Sequence, residues 1–471
     1  MTQEVPPTHQ KALQVNLDKS FYRTIAEIGA GQEVAHWFFR VGAAAGTVAK
    51  AMSAYDMKFS DAIYGTARRY VTRQRLQEML THEYRLLMER LDATRGETSR
   101  FFAFADTVAA TSFSRKEEGR GWLGIRFQTE PRGAPSDILI HTRLLDRENH
   151  QQQAALGILG VNLVFGAKEL WRNPEDLIRS LDDNLSPGQV EIDMISFSGP
   201  AFGSVDNRLM ILHLVQLGLS GAAMFDAKGQ PVEPSEALYQ RPVIVGRGSF
   251  RPVTLATAEL LRGAYTLFLK EPAVEAEQVV PVIEMTMSNL TVEGAVDKQD
   301  FLDRVDSLGS IGVSMMVSNF AEYYRLAQHL FRYTKKMIGM GLGLPSLLEI
   351  FDEKYYDNLE GGILESFGRL FRNGLTLYVY PMLQDGQIVT VENMPVAPNL
   401  RHLYSHLVEN GSIEGIREYT PEYLSIHPGD VLDKIRTGDL SWVDQVPPDV
   451  AALIRDRGYF RRAQARKMET T

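Results

Sequence analysis

The sequence predicts an α/β protein whose C-terminal half is a doubly wound, largely parallel Rossmann-like sheet. From residue 190 onward, short apolar runs alternate with amphipathic helical segments. This alternation is typical of βαβ units, and right-handed crossovers then place helices on both faces of the sheet. The predicted strands are residues 190–198, 222–226, 242–246, 279–287, 313–319, 337–341 and 375–381, and the helices between them are residues 207–217, 255–270, 298–308, 322–335, 346–356 and 363–371.

Two smaller regions are expected to precede this domain. The segment 21–92 is predicted to be helical, because apolar residues such as Leu76, Met79 and Leu80 recur at steps of three and four. Short β-like runs separated by charged or glycine-containing turns then predict a meander. These runs are residues 101–107, 122–129 and 137–145, and helices are predicted at 152–171 and 174–185. The predicted regions are a helical N-terminal region (1–100), a central α/β region (101–239), the main domain (240–460) and a tail (461–471).

The strand–helix alternation leaves one alternative architecture open. Eight strands from residue 137 onward would also be enough to close into a (β/α)8 barrel. Pattern alone does not separate an open sheet from a barrel, and the motifs described below favour the open sheet.

Composition restricts the classes of partner and compartment. A net charge of -9 gives the whole chain no electrostatic reason to bind nucleic acid or an anionic membrane surface. The absence of cysteine excludes disulfides, thiolate zinc sites, iron–sulfur clusters and a cysteine nucleophile. The N-terminus has no apolar core of the kind found in secretory signals, so we expect a cytoplasmic protein. His402 and His406 have a zinc-binding spacing but no third ligand nearby, and no metal site is predicted.

An apolar strand, a glycine turn and a helix follow one another across residues 243–270. Such a turn presents backbone N–H groups and the positive end of a helix dipole to an anion. Arg247 and Arg251 flank the turn at Gly248 and could hold phosphate oxygens. The same residues would also form an ordinary strand–turn–helix link with surface arginines, since glycines serve turns in general.

The residues of this turn carry a resemblance to a known family. Residues 248–257, GSFRPVTLAT, resemble the phosphate-binding motif of nicotinate/nicotinamide-nucleotide adenylyltransferases in the nucleotidyltransferase superfamily. Residues 338–381 are similar to the middle segment of that family, with Gly343 and Leu347 at its glycine and leucine. Residues 426–460 are similar to its C-terminal signature, with Arg436 in register.

The resemblance implies a nucleotidyltransferase-like domain over residues 240–460. It implies transfer of an adenylyl group from ATP, with Mg²⁺, to nicotinate or nicotinamide mononucleotide, giving the dinucleotide and pyrophosphate. The ligand-binding residues that it implies are Arg247, Gly248, Ser249, Phe250, Arg251, Gly343, His427 and Arg436, and the catalytic positions are Thr254 and Thr257.

Several signature side chains of the family are replaced. Thr257 stands at the second motif histidine, and Pro345 stands at an aspartate. The segment 427–429 replaces the Ser-Ser-Thr that binds ATP phosphates, and Leu432 replaces the arginine of that motif. Because losing one charge-stabilising donor typically costs ~10²–10³ in rate, we expect adenylyl transfer to be weak or lost.

Two hypotheses about function therefore compete. The first is an adenylyltransferase of NAD biosynthesis with reduced activity. The second is a pseudoenzyme that keeps the fold to sense a nucleotide or to build a homo-oligomer. A barrel enzyme for a phosphorylated metabolite is a third alternative.

Polar residues at the ends of predicted strands complete the expected site. The carboxyl ends of strands in open α/β sheets are where ligands bind. These polar residues are Ser196, Ser198, Glu284, Thr286, Ser288, Asn289, Ser318 and Asn319. We expect them to surround one crevice together with the Gly248 turn, whereas Asp206 is expected to cap the helix that follows it.

Overall fold

The computed structural model describes residues 5–111, 118–292, 294–309 and 312–461. The chain divides into two compact units, which we call unit 1 (Met1–Gly221) and unit 2 (Ala222–Thr471). The expected boundaries at 100 and 239 differ from this division. The reason is that strands on both sides of residue 100 pair within one sheet of unit 1, and residues 222–238 supply strands to the sheet of unit 2.

Unit 1 is built on a six-stranded mixed sheet. Its strands are β1 (Phe21–Gly29), β2 (Val48–Ala54), β3 (Arg100–Ala109), β4 (Gly119–Phe127), β5 (Ser136–Leu144) and β6 (Val190–Ser198). Its helices are α1 (Thr8–Leu17), α2 (Glu33–Arg40), α3 (Met57–Tyr64), α4 (Arg73–Arg95), α5 (Asn149–Glu169), α6 (Pro174–Arg179) and α7 (Asn207–Gln216). The strand order is β2-β1-β3-β4-β5-β6. β2, β1 and β3 are parallel, and β3, β4 and β5 form the antiparallel meander that the sequence predicts. β6 pairs antiparallel with β5, so the prediction that residues 190–198 begin the largely parallel C-terminal sheet is wrong.

The prediction of a purely helical N-terminal region is wrong. β1 and β2 lie inside the segment expected to be helical, and β1 is buried along all but its last residue. A strand buried on both faces lacks the alternation of apolar and polar residues that identifies half-exposed strands. The helical periodicity around Leu76 is confirmed, because that segment is α4 and packs its apolar face on the sheet.

Helix α5 packs closely against α2 in unit 1. A Cβ atom added at Gly160 would lie 2.3 Å from a methyl carbon of Val34, and one at Gly157 would lie 2.7 Å from Glu33. The two glycines therefore allow a close approach that any side chain would prevent. α1 is fixed to α5 by buried Lys11, whose ammonium donates to Asn162 at 2.9 Å and to Asp183 at 2.5 Å. Among the described helices, none has the length and apolar character needed to cross a membrane.

Unit 2 contains the longer sheet. The strands of unit 2 are β7 (Ala222–Phe225), β8 (Pro231–Val232), β9 (Val243–Arg247), β10 (Val280–Thr286), β11 (Thr291–Val292), β12 (Ala295–Val296), β13 (Ser314–Ser318), β14 (Ile338–Gly343), β15 (Thr376–Tyr380), β16 (Met382–Gln384), β17 (Gln387–Val389) and β18 (Ile413–Gly415). β11 pairs with β12 and β16 pairs with β17 in two separate two-stranded sheets. Its helices are α8 (Pro234–Leu238), α9 (Leu255–Phe268), α10 (Met287–Leu290), α11 (Lys298–Gly309), α12 (Tyr323–Leu330), α13 (Leu344–Ile350), α14 (Gly362–Leu370), α15 (Arg401–Glu409), α16 (Pro428–Thr437) and α17 (Pro448–Arg457). Most of the elements predicted here agree with these bounds to within a few residues.

The main sheet of unit 2 has the strand order β18-β15-β14-β9-β10-β13-β7-β8. The strands from β18 to β13 pair in parallel, whereas β7 and β8 are antiparallel to their neighbours. From β9 the chain moves outward to β10 and β13, and it then returns to build β14, β15 and β18 on the other side. The predicted α/β class is confirmed, the sheet is mixed, and its free edges at β18 and β8 exclude the barrel.

Alternate side chains of β9 enter different parts of the core. Val243 and Val245 join the cluster that includes α12, α13 and α14, whereas Ile244 joins the cluster that contains Ala264 and Phe268 of α9. Successive side chains of a strand point to opposite faces of the sheet. Helices therefore cover both faces of the sheet at β9.

Candidate functional site

The carboxyl end of β9 lies between the ends of two parallel neighbours. Arg247 is in register with Glu284 on β10, and Gly246 is in register with Gly341 on β14. β9 is also the strand from which the chain builds outward in both directions. In open α/β sheets, this position is where ligands bind.

Glycines at the strand ends bring α9 close to the sheet. A Cβ atom at Gly246 would lie 2.1 Å from a methyl carbon of Leu261, and one at Gly341 would lie 2.8 Å from the Cβ of Ala264. Helix α9 therefore packs directly against backbone at the ends of β9 and β14, and its N-terminus is fixed close to the turn that precedes it.

The turn at residues 248–250 connects β9 to the segment that leads into α9. The Gly248 N–H donates to the Glu284 carbonyl oxygen at 3.2 Å, which extends the pairing with β10 by one residue. Phe250 has a φ of 49° and its ring is buried, and a Cβ atom at Gly248 would lie 3.2 Å from that ring. The peptide bond between Arg251 and Pro252 is cis. The predicted tight turn between a central strand and a helix is present.

Arg304 of α11 orients one peptide of this turn. Its Nη1 donates to the Ser249 carbonyl oxygen at 3.0 Å and to the Asn289 carbonyl oxygen at 2.9 Å. In a trans peptide, the C=O and the following N–H point in opposite directions. The Phe250 N–H is therefore turned away from Arg304. Within the described chain, neither the Ser249 N–H nor the Phe250 N–H has a hydrogen-bond acceptor.

Thr254 caps the N-terminus of α9. Its hydroxyl oxygen accepts a hydrogen bond from the Thr257 N–H at 3.2 Å and lies 3.1 Å from the Thr257 hydroxyl oxygen. The first N–H groups of a helix lack partners inside the helix. The N–H groups of Leu255 and Ala256 are in this position, and no described group accepts from them. The two threonines predicted as catalytic thus form a helix cap.

Arg247 is held inside the protein. Its guanidinium donates to both carboxylate oxygens of Glu284, at 2.7 and 3.2 Å, and to the carbonyl oxygens of Phe320 at 2.9 Å and Ala321 at 2.8 Å. It also lies 4.5 Å from the centre of the Tyr323 ring. These contacts use four of the five N–H donors of an arginine. The expectation that Arg247 holds phosphate oxygens is not supported by this arrangement, because its charge is already paired.

Arg251 has free donors at the turn. Its Nε donates to Asp300 at 2.5 Å, and within the described chain its two terminal nitrogens have no acceptor. Asp300 is shared with Arg304, whose Nε donates to the other carboxylate oxygen at 2.8 Å. Two guanidinium groups therefore share the carboxylate of Asp300, and Asp297 is a second carboxylate that interacts electrostatically with Arg304.

No sequence pattern near the turn indicates that Arg304 positions it, because α11 lies far from the turn in the chain. Burial lowers the pKa of Arg304, and Asp300 opposes that effect. The arrangement indicates that Arg304 positions the turn, whereas the two terminal nitrogens of Arg251 have no acceptor among the described residues.

Polar residues at the ends of β10 and β13 contact each other. The Ser318 hydroxyl donates to Glu284. The Thr286 hydroxyl oxygen caps α10 by accepting from the Asn289 N–H at 3.1 Å, and it lies 2.7 Å from the Ser288 hydroxyl oxygen.

The premise that one sheet carries all of these polar residues is wrong. Ser196 and Ser198 belong to β6 in the separate sheet of unit 1. The sequence does not reveal that two sheets are formed. Asp206 caps α7 as predicted, since its carboxylate accepts from the Arg208 N–H at 2.9 Å.

The other residues implied by the resemblance lie on three different elements. Gly343 ends β14 and precedes α13, next to β9 in the sheet. His427 is exposed and precedes α16, and Arg436 is half-buried near the end of α16. In the described chain, no hydrogen bond or ion pair joins His427 or Arg436 to the turn. The contacts do not bring these two residues into the site.

Comparisons with known proteins give partial structural likeness only. No protein-family model matches the chain. No curated protein matches it. Among solved structures, a competence/damage-inducible protein of Agrobacterium tumefaciens is 13% identical with a TM-score of 0.25, and the match covers 36% of this chain and 100% of that chain. A competence-damaged protein superfamily member from Klebsiella pneumoniae is 14% identical with a TM-score of 0.26, covering 35% of this chain and 98% of that chain. Likeness at this level transfers no function to this chain.

Proposed function

We propose that unit 2 is a nucleotidyltransferase-like domain that binds the phosphate of a nucleotide at the 248–250 turn, with adenylyl transfer weak or lost. The observation that carries the proposal is that, among the described residues, the Ser249 and Phe250 N–H groups have no acceptor at the carboxyl end of the central strand β9. Backbone amides beside a helix N-terminus are a common way of binding phosphate. The order β13-β10-β9-β14-β15 also suits a doubly wound, Rossmann-like domain with its ligand at β9.

The charge at the turn suits an anionic ligand. Arg251 and Arg304 share Asp300, and among the described residues the two terminal nitrogens of Arg251 have no acceptor, so they can donate to a phosphate. Charged hydrogen bonds to phosphate add both attraction and direction. The net charge of -9 on the whole chain does not conflict with anion binding at the turn. Salt screens the distant negative charges, so the charges next to the turn have the larger effect on a bound ligand.

The residues at the catalytic positions implied by the resemblance are poorly suited to adenylyl transfer. Thr254 and Thr257 bond to each other as a cap and carry no charge with which to neutralise a phosphoryl group. The described residues contain no cluster of three or more His, Asp or Glu side chains that could hold a metal ion.

The test is a binding titration of nicotinamide mononucleotide by calorimetry on wild-type protein and on Arg251→Ala. Charged hydrogen bonds are worth about 1.5–3 kcal/mol each, so this substitution should weaken binding roughly 10- to 150-fold. Arg262→Ala removes an exposed arginine from the body of α9 and serves as the matched control. Equal affinity in the Arg251 and Arg262 variants would reject the site, and no binding by wild-type protein would favour the architectural alternative.

A further inference from the structure

A cavity lies at the carboxyl ends of β15 and β18, two strands away from the strand that leads into the 248–250 turn. Its volume is about 180 Å³. Val379, Val391 and Ile416 line it with apolar surface and are all buried. We call it the β15–β18 cavity. An apolar cavity of about 150 Å³ is large enough to bind benzene, so this one has room for a single apolar side chain.

Hydrogen bonds hold the walls of the cavity in place. The Ile416 N–H donates to the Val379 carbonyl oxygen at 2.8 Å. The Tyr404 hydroxyl of α15 donates to the Val391 carbonyl oxygen at 2.6 Å. The main chain on both sides of the cavity is therefore fixed, and sites for small molecules are usually preformed in this way.

One carboxylate and one guanidinium lie side by side at the solvent-facing end of the cavity. Arg417 Nη2 lies 3.5 Å from Glu392 Oε1, and the two side chains are 85% and 56% exposed. A hydrogen bond from Thr390, together with the charge of Arg417, lowers the pKa of Glu392, so it is a carboxylate at neutral pH. An exposed ion pair contributes only about 0–1 kcal/mol. The charges of a ligand can therefore replace this contact at little cost.

The ion pair and the apolar walls together complement a free α-amino acid. Its ammonium group can donate to Glu392 and its carboxylate can accept from Arg417. These two groups and the side chain are attached to one carbon atom, so the charges lie side by side while the side chain enters the cavity. Gly415 leaves space where the charged end meets the apolar walls. A Cβ atom there would lie 3.8 Å from Glu392 Oε1 and 3.5 Å from a methyl carbon of Val391.

A ligand with a single charge fits this end of the cavity less well. A carboxylate or phosphate without an ammonium group brings a negative charge next to Glu392, and an amine without a carboxylate brings a positive charge next to Arg417. Like charges at short distance repel each other. The pair therefore favours a zwitterion over either kind of ion.

We propose that the β15–β18 cavity binds a free α-amino acid with an apolar side chain, with its ammonium group at Glu392 and its carboxylate at Arg417. The terminal residue of a peptide does not meet this requirement, because one of its two charges is replaced by an amide. The inference goes beyond the function proposed for the 248–250 turn and does not depend on it.

Calorimetric titration of the full-length protein with L-leucine and its derivatives tests the zwitterion. L-Leucinamide lacks the carboxylate, N-acetyl-L-leucine lacks the ammonium charge, and both keep the side chain. Each derivative should bind at least about fivefold more weakly than L-leucine, which corresponds to about 1 kcal/mol. Equal affinity for the three compounds overturns the inference. So does the absence of binding by L-leucine, L-valine and L-phenylalanine at concentrations up to about 10 mM.

L-Serine tests the role of the apolar walls. It has the same two charged groups as L-leucine but too little apolar surface to use the cavity. Because burying a leucine side chain gives a large transfer free energy, L-serine should bind at least about tenfold more weakly. Equal affinity for L-serine and L-leucine would show that no side chain enters the cavity and would overturn the inference.

Substitutions at the charged end locate the site. Arg417→Gln and Glu392→Gln should each weaken L-leucine binding at least about fivefold, and both change exposed side chains, so the variants should fold. Glu409→Gln of α15 and Arg455→Gln of α17 change exposed side chains elsewhere and are the matched controls. The same affinity in all four variants would place the ligand elsewhere and overturn the inference.

Gly415→Val fills the cavity from within. The contact distances at Gly415 are ordinary ones, so the variant should fold and should weaken L-leucine binding at least about tenfold. Gly368→Val introduces the same side chain at an exposed glycine of α14 with nothing nearby, and it is the control. Thermal unfolding checks that both variants are folded. Unchanged binding by folded Gly415→Val overturns the inference, and if that variant is unfolded, the substitutions of Arg417 and Glu392 decide it.

Discussion

Glu27 and Asp106 form a buried pair of acids in unit 1. They are in register on the parallel strands β1 and β3, and both are inaccessible to solvent. Burial raises the pKa of Glu27 to about 8, although the N–H groups of Val34 and Ala35 donate to its carboxylate. Burial and the neighbouring Glu27 raise the pKa of Asp106 well above its usual range. The pair therefore retains protons at pH values where exposed carboxyl groups have lost them.

We expect the free energy of unfolding of unit 1 to fall as the pH rises from about 4.5 to about 8. Across that window the folded state binds more protons than the unfolded state, so stability decreases with pH. A single group contributes at most about 1.4 kcal/mol per pH unit. Glu27→Gln should reduce the decrease, because the amide oxygen still accepts from the Val34 N–H and no proton is lost.

Urea unfolding at pH 5 and pH 8 measures this effect. Glu89→Gln changes an exposed glutamate of α4 and should leave the pH dependence as in the wild type. The same decrease in Glu27→Gln as in Glu89→Gln would show that Glu27 is not the titrating group.

Individual site residues differ in how far the sequence reveals them. The 248–250 turn was predictable, because an apolar strand, a glycine and a helix signal are adjacent in the chain. The pairing of Arg247 with Glu284 was not, since those residues meet only when β9 and β10 align. Arg304 was not predictable either, because its role depends on the placement of α11.

At the scale of elements, β1 and α4 show when sequence patterns succeed. α4 has one face on the core and one in water, so its apolar residues recur with the helical period. β1 is buried on both faces, so its alternation disappears. The parallel strands of unit 2 were nevertheless found, because each is a short apolar run bounded by amphipathic helices.

The N-terminus of α9 offers a test of whether Thr254 acts as a cap. Its hydroxyl oxygen satisfies the Thr257 N–H, and replacing such a cap by alanine costs about 0.5–2 kcal/mol. We expect Thr254→Ala to lower the free energy of unfolding by that amount and Thr254→Ser to restore it. Thr266→Ala, on the exposed face of the same helix, is the control and should cost less. Equal losses in the two alanine variants would mean that the cap contributes nothing.

At the scale of the whole molecule, the replaced motif residues predict slow chemistry. In the presence of ATP, Mg²⁺ and nicotinamide or nicotinate mononucleotide, we expect pyrophosphate release at least about 100-fold below the ordinary range of 1–10³ s⁻¹. The reason is that Thr254 and Thr257 are neutral and bonded to each other.

A coupled assay for pyrophosphate measures this rate. Any residual release should disappear in Arg251→Ala, which identifies it with the 248–250 turn. Release at an ordinary rate would contradict the prediction and would show that other residues have replaced the missing side chains.

The free edges of the two sheets have different consequences for aggregation. In unit 2 the edge strands β8 and β18 have only two and three residues, so they offer another chain almost no template for strand addition. In unit 1 the edge strand β2 has seven residues and is only partly covered. The exposed apolar side chains of Tyr55, Met57 and Phe59 follow it directly. The other edge strand of unit 1, β6, is longer, but seven of its nine residues are buried. Intermolecular strand pairing during refolding or at high concentration should therefore start at β2.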